Sequence, residues 1–128
     1  MEDWKIKIAV LWLIYAAVGL GAGYYMLWEP GVIEQIIAGE IAGTKITPEI
    51  MIIDAIMLLV PLVMPFLSLT LKDSINRWAN IIVGIVSIGL ILIFTVTVTA
   101  AYAILLNLSM IVAAVLIVWY AWKSKQKA

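Results

Sequence analysis

The 128-residue chain has no cysteine and no histidine. Without cysteine it has no disulfides, no thiol redox chemistry and no Cys-ligated iron–sulfur cluster. Without histidine it also lacks His-ligated haem, the usual zinc sites and any Ser–His or Cys–His catalytic pair. Charge is scarce as well: 12% of the residues are charged, against about a quarter in a soluble domain. Eight Lys and Arg cancel eight Asp and Glu, so net charge draws the chain to no nucleic acid, and none is expected as a partner. Polar chemistry is left to carboxylates, hydroxyls, amides, Lys and Arg77. That disfavours an enzyme, and neither a cofactor nor a metal is expected.

What the chain does have is apolar surface, at 66% of its residues. A chain this small cannot hide two-thirds apolar residues from water. The composition therefore reads as one integral membrane unit. A spanning helix needs about 20 mostly apolar residues to cross a hydrocarbon core of about 30 Å. The first candidate runs over 8–28. It is longer than the apolar part of a signal peptide and reads as a retained span. The second runs over 48–71. From Trp78 to Trp122 no residue is charged, and as one helix this run would reach about 68 Å. It must fold back once, and the turn is expected near Thr99–Tyr102. The third and fourth spans are then 78–98 and 103–122. The expected fold is an all-α, antiparallel four-span bundle.

The charges orient it. Lys5, Lys7, Lys72, Arg77, Lys123, Lys125 and Lys127 fall on one side, and Lys45 stands alone on the other among Glu29, Glu34, Glu40 and Glu49. By the positive-inside rule both termini are cytoplasmic, in a multi-pass protein of the cell membrane. Trp4, Trp28, Trp78, Trp119 and Trp122 fall near span ends, as interfacial anchors do. The outer loop, 29–47, places Val32, Ile33, Ile36 and Ile37 on one face after Pro30. This predicts a short amphipathic surface helix over 30–38, ended by Gly39 and Gly43. Thr47-Pro48 is a capping pair for the second span.

Asp54 is the ionisable residue well inside a span. It lies about 9 Å below the outer end, and intramembrane acids face the bundle interior or water. At about 100° per residue, Thr47, Asp54, Pro61, Pro65 and Ser68 share one face within about 40°. Each proline frees the carbonyl four residues back, here those of Met57 and Pro61. An acid beside open carbonyls suits a proton, a water or a small cation. Asn107 in the fourth span, Thr95 and Thr99 in the third and Tyr24 and Tyr25 in the first lie at similar depth. Together with Asp54 they suggest an outward-opening polar pocket for a ligand or ion. The competing reading is an acid that fixes helix packing with Asn107 or a tyrosine hydroxyl. Gly19 and Gly23 form a small-xxx-small pair, for packing or for a dimer, and Gly84 and Gly89 read alike. In the polar stretch 72–80, Asn76 is expected to cap the third span. Lys72 and Arg77 are candidates for anionic lipid headgroups.

The stretches Trp4-Lys5-Ile6-Lys7, Leu11-Trp12, Glu29-Pro30-Gly31 and Ala38-Gly39-Glu40 carry a resemblance. So do Asn76-Arg77-Trp78-Ala79-Asn80-Ile81-Ile82 and Val118-Trp119-Tyr120-Ala121-Trp122. On these the chain resembles an uncharacterised family of short four-helix membrane proteins of bacteria and archaea, similar in layout to the wider DoxX-like group. The resemblance implies a fold and no activity.

Two functional expectations follow. One is a non-enzymatic protein that binds a small lipophilic molecule or serves as an accessory subunit of a larger membrane complex. The other is a small transporter or channel, as a homo-oligomer, in which Asp54 carries a proton or cation.

Overall fold

The computed structural model describes residues 2–124. Lys125 and Lys127, two of the charges in the orientation argument, lie outside the described residues. The element order is α1 (Asp3–Met26), α2 (Val32–Ile37), β1 (Glu40–Ile41), β2 (Thr44–Lys45), α3 (Pro48–Thr70), α4 (Asp73–Val96) and α5 (Ala101–Lys123). The four long helices have 23 or 24 residues each, about 35 Å of helix. All four are long and apolar enough to cross a membrane.

Their ends gather at two poles. At the terminal pole Lys5 of α1 pairs with Asp73 of α4 at 2.6 Å. Lys7 sits 5.4 Å from the ring centroid of Tyr120 in α5. At the loop pole Tyr102, at the start of α5, donates its hydroxyl hydrogen to the Glu29 carboxylate just past α1. Thus α1 and α5 run antiparallel, and α4 runs in the same direction as α1. α1 packs between α3 and α5, and α5 packs between α1 and α4. α3 and α4 are neighbours in sequence but meet sparsely, close to their two-residue connection.

The core explains this order. Trp4, Ile8, Trp12 and Tyr15 recur at helical spacing on α1 and are buried. They face the small or slim residues Met110, Ala113, Ala114, Ile117 and Ala121 of α5. Bulk on one helix against alanines on the other allows close approach without voids. Trp4 is therefore a core residue, 5% exposed, while Trp28, Trp78, Trp119 and Trp122 project outward as anchors would.

α3 begins as its sequence directs. Thr47 accepts from the Ile50 amide at 3.3 Å, and Pro48 is the first helical residue. Pro61 and Pro65 are buried inside a helix that continues through both. α4 starts earlier than apolarity alone suggests. Lys72 occupies its N-cap and Asp73 its first turn, where an acid suits the helix dipole.

In the loop, α2 is six residues long, shorter than the expected 30–38. Val32 is buried and Ile36 half-buried, whereas Ile33 and Ile37 are exposed. Positions 32 and 36 lie one above the other, and a helix of under two turns presents only that narrow stripe inward. Beyond Gly39 the chain forms a two-stranded hairpin instead of an irregular return, pairing Glu40 with Lys45 and Ile41 with Thr44. Its two turn residues, Ala42 and Gly43, both have positive φ, at 52° and 79°.

Candidate functional site

A cavity of about 510 Å³ opens between α1 and α3 toward the loop pole. Gly19, Gly23 and Tyr24 line its α1 side, and Asp54, Met57 and Pro61 its α3 side. Ile91 and Met110 reach in from α4 and α5. Space exists here for two reasons. α3 and α4 diverge from their connection, and the α1 wall facing the gap carries glycines where larger side chains would fill it. At Gly19 an added Cβ would stand 3.1 Å from Met110 Cε, while nothing approaches Gly23. The walls are almost wholly apolar, and Asp54 is the only charged residue among those lining the cavity. The ion pair found among the described residues is Lys5–Asp73 at the opposite pole. No Lys or Arg of the described residues therefore neutralises Asp54.

The other expected site residues assemble elsewhere. Asn107 donates its side-chain amide to Thr95 Oγ1 at 3.2 Å, and Thr95 in turn donates to the Ile91 carbonyl at 2.6 Å. Asn107 and Thr99 line a second cavity of about 460 Å³, under the loop, together with Glu29, Gln35 and Tyr102. Gly23 contributes to both cavities. The Tyr24 ring faces the Asp54 cavity, whereas Tyr25 lies 6.1 Å from Tyr102, centroid to centroid. Asp54 thus shares a cavity with Tyr24, Met57 and Pro61, and the single outer pocket expected from depth alone is two cavities on either side of α1. The Glu29–Tyr102 pair that ties α1 to α5 escaped the sequence reading. Nothing in spacing links residues 73 positions apart.

A third polar cluster closes the terminal pole. Trp12 Nε1 donates to Asn80 Oδ1 at 2.7 Å, and Ser68 Oγ donates to the same oxygen at 3.2 Å. Asn80 Nδ2 donates to Asn76 Oδ1 at 2.7 Å. Asn76 Nδ2 reaches the Ser68 carbonyl at 2.6 Å and the Leu71 carbonyl at 3.4 Å. Asn76 was expected to cap its own helix. It sits one turn inside α4 and instead satisfies carbonyls at the end of α3, which have no partner within that helix. Ser68, Asn76 and Asn80 are fully buried, and each finds partners within the cluster. The arrangement is a clamp joining α1, α3 and α4 and not an open site. Its sequence signal was the i, i+4 pair of asparagines on one face of an apolar helix.

Among the described residues no group of three or more acidic side chains could hold a metal ion. Chemically, then, the chain offers one apolar cavity with a carboxylate on its wall, one polar cavity under the loop and one satisfied clamp. No curated protein and no solved structure matches the chain. A family model does, over residues 1–128, in keeping with the resemblance to an uncharacterised four-helix family. The chain belongs to DUF6326, a family of unknown function.

Proposed function

We propose that the protein is an integral membrane protein that binds a small lipophilic molecule bearing an amine or another hydrogen-bond donor, in the cavity between α1 and α3. The observation that carries this reading is an apolar cavity of about 510 Å³ with Asp54 on its wall. Ligand pockets have this composition and size: mostly apolar walls, with a few polar groups that orient the ligand. Asp54 is exposed on the helix surface, so in a bilayer its carboxylate would cost free energy unless it is partnered or wetted. A bound donor group would remove that cost.

Insertion into a bilayer is supported by the helix surfaces. At most 28% of the most apolar stretch of any of the four helices is buried within the protein. Side chains such as Phe66, Ile93 and Leu105 point outward. Water would make such a surface aggregate, and lipid covers it. The clustering of Lys5, Lys7, Lys72, Arg77 and Lys123 at the terminal pole supports cytoplasmic termini in the cell membrane. Binding needs no reacting group, so the reading is non-enzymatic. Service as an accessory subunit, with the ligand or a neighbour chain held at this cavity, is compatible with it.

The test uses the purified full chain in lipid nanodiscs and a fluorescent long-chain alkylamine. The amine should bind saturably, and an alkylsulfonate of equal length should not. Asp54→Asn should weaken the amine about tenfold, roughly the loss of one charge-assisted hydrogen bond. Leu58→Trp, which fills the cavity, should weaken it too. Equal binding of amine and sulfonate, or no effect of both substitutions, overturns the reading.

A second reading has its own observation: Asp54 shares the cavity with Met57 and Pro61, the residues whose carbonyls the prolines free. An acid among open carbonyls suits a transported proton or cation. Proteoliposomes carrying the wild-type chain should then pass protons or alkali cations, and Asp54→Asn should stop the flux. Equal flux with and without protein overturns it.

A further inference from the structure

We propose that the seam between α4 and α5 at the terminal pole holds one anionic glycerophospholipid, its phosphate on Arg77 and Lys123 and an acyl chain in the groove beneath. The groove has a volume of about 330 Å³ and is lined by Ile81, Ile85 and Ile88 of α4 and Val115, Trp119 and Trp122 of α5. It carries almost no polar surface, and two of its lining residues are the stacking partners of cations. The Arg77 guanidinium carbon lies 4.9 Å from the ring centroid of Trp122 and 4.7 Å from that of Trp78. Lys123 Nζ lies 4.6 Å from the centroid of Trp119.

Arg77 is the unexplained group. It is 8% exposed, and its Nε is buried with no hydrogen-bond partner among the described residues. Asp73, one turn earlier on the same helix, is the obvious counter-ion, yet it pairs with Lys5. The two indoles hold the guanidinium by cation–π contact and supply no acceptor for its N–H groups. Those donors form a fork that a phosphate oxygen pair matches. A buried guanidinium without a counter-ion is costly, and a phosphate at its outer edge would offset that cost through the terminal N–H groups, Nε itself having no exposed surface. Lys72, the other residue expected to meet headgroups, is the exposed N-cap of α4; Lys123 reaches the groove through its contact with Trp119, and it also lines a small cavity with Asp3, Trp4 and Lys7 of α1.

The dimensions select a lipid. The groove follows α4 for about 10 Å from Ile81 to Ile88, and with Arg77 one turn before it the distance from cation to groove end is about 16 Å, close to half of a hydrocarbon core of about 30 Å. One leaflet's acyl chain spans that distance while its headgroup stays at the cation pair. Ile81, Ile85 and Ile88 lie within about 80° of Arg77 around the helix axis, so headgroup and chain share one side. This inference rests on membrane insertion but not on the α1–α3 cavity, which is on another face of the bundle.

The test is native mass spectrometry of the delipidated full chain in neutral detergent. Phosphatidylglycerol or phosphatidylcholine of equal chain length is added at equal concentration. Phosphatidylglycerol should be retained about tenfold better. Arg77→Gln should remove the preference, and Lys123→Gln, at an exposed side chain, should reduce it even if the first variant fails to fold. Ile85→Trp, substituting a half-exposed groove residue, should lower retention of both lipids. Equal retention of the two lipids by the wild-type chain overturns the proposal, as does an unchanged preference in Lys123→Gln. So does a concentration-dependent dimer that Ile85→Trp abolishes, since a second copy would then occupy the groove. Loss of alkylamine binding with lipid preference intact would count against the cavity reading alone.

Discussion

Trp12 and Asn80 meet across 2.7 Å in the core, the indole N–H donating to the amide oxygen. This bond joins α1 to α4 inside the core, where the two helices otherwise communicate through α5; the Lys5–Asp73 pair links them again at the terminal pole. The same oxygen takes the Ser68 hydroxyl, so Asn80 holds three helices together. Asn80→Ala strands the Trp12 N–H, the Ser68 hydroxyl and the Asn76 amide oxygen at once. At about 1–3 kcal/mol for each stranded group, the expected loss is about 3 kcal/mol or more of stability, read as a lower SDS fraction at the unfolding midpoint. Thr70→Ala removes a hydroxyl that bonds only within its own exposed turn, and should fall within about 0.5 kcal/mol of wild type. Trp12→Phe combined with Asn80→Ala should cost less than the sum of the two, because both remove the same bond.

Orientation can be read chemically because the chain carries no cysteine of its own. Glu40→Cys lies in the hairpin at the loop pole, and Ser74→Cys in the first turn of α4 at the terminal pole; both positions are exposed. In intact cells a membrane-impermeant maleimide should label the first variant and spare the second. Permeabilisation should make both reactive. Labelling of Ser74→Cys before permeabilisation would reverse the proposed orientation.

How much of this was legible in the sequence depends on the kind of residue asked. Apolar runs mark helices well, and each of the four expected spans lies largely within one long helix. They mark helix starts poorly. α1 begins at Asp3 and α4 at Asp73, ahead of the expected 8 and 78, because the first turns of these helices are polar and still helical. The hairpin at Glu40–Lys45 was hidden because each strand has only two residues, too few for alternation to show. The split of the outer polar residues was hidden for a different reason. Depth along a helix is a sequence property, but which side of α1 a neighbour packs against is set by the order of helices in the bundle. Asp54 and Asn107 lie at similar depth and face different cavities. Arg77 was legible as a cation just before an apolar span, while its contact with Trp122 required the fold.

Gly84 of α4 packs directly against α5. A Cβ there would lie 2.6 Å from Val118 Cγ2, a contact that a β-branched side chain relieves only by moving the backbone. Gly84→Ala should therefore destabilise the chain by about 1–3 kcal/mol. Gly89, on the same helix, has nothing within 4 Å of its added Cβ. Gly89→Ala should be neutral or mildly stabilising, since it also raises helix propensity. Val118→Ala opens the space opposite Gly84, so the double variant should recover part of the loss. Equal effects at Gly84 and Gly89 would mean that the α4–α5 seam has room for a side chain at Gly84.

The hairpin turn offers a gain instead of a loss. Ala42 holds φ at 52°, a left-handed conformation that costs an L residue with a Cβ about 1–2 kcal/mol. The two-residue turn, with positive φ at both positions, suits Asn-Gly far better than Ala-Gly. Asn tolerates this region because its short side chain bonds locally to the backbone. Ala42→Asn should therefore stabilise the loop by about 1 kcal/mol, and a gain of that size slows cleavage through local opening about fivefold. Gly43→Ala places a second Cβ in the left-handed region and should speed it. Limited proteolysis of the full chain in nanodiscs, followed at Lys45, reads both. The Ala42 amide already donates to Gln35 Oε1 at 3.2 Å, which docks the turn on α2. Gln35→Ala should therefore accelerate cleavage in the wild-type loop, and by less once Asn stands at position 42.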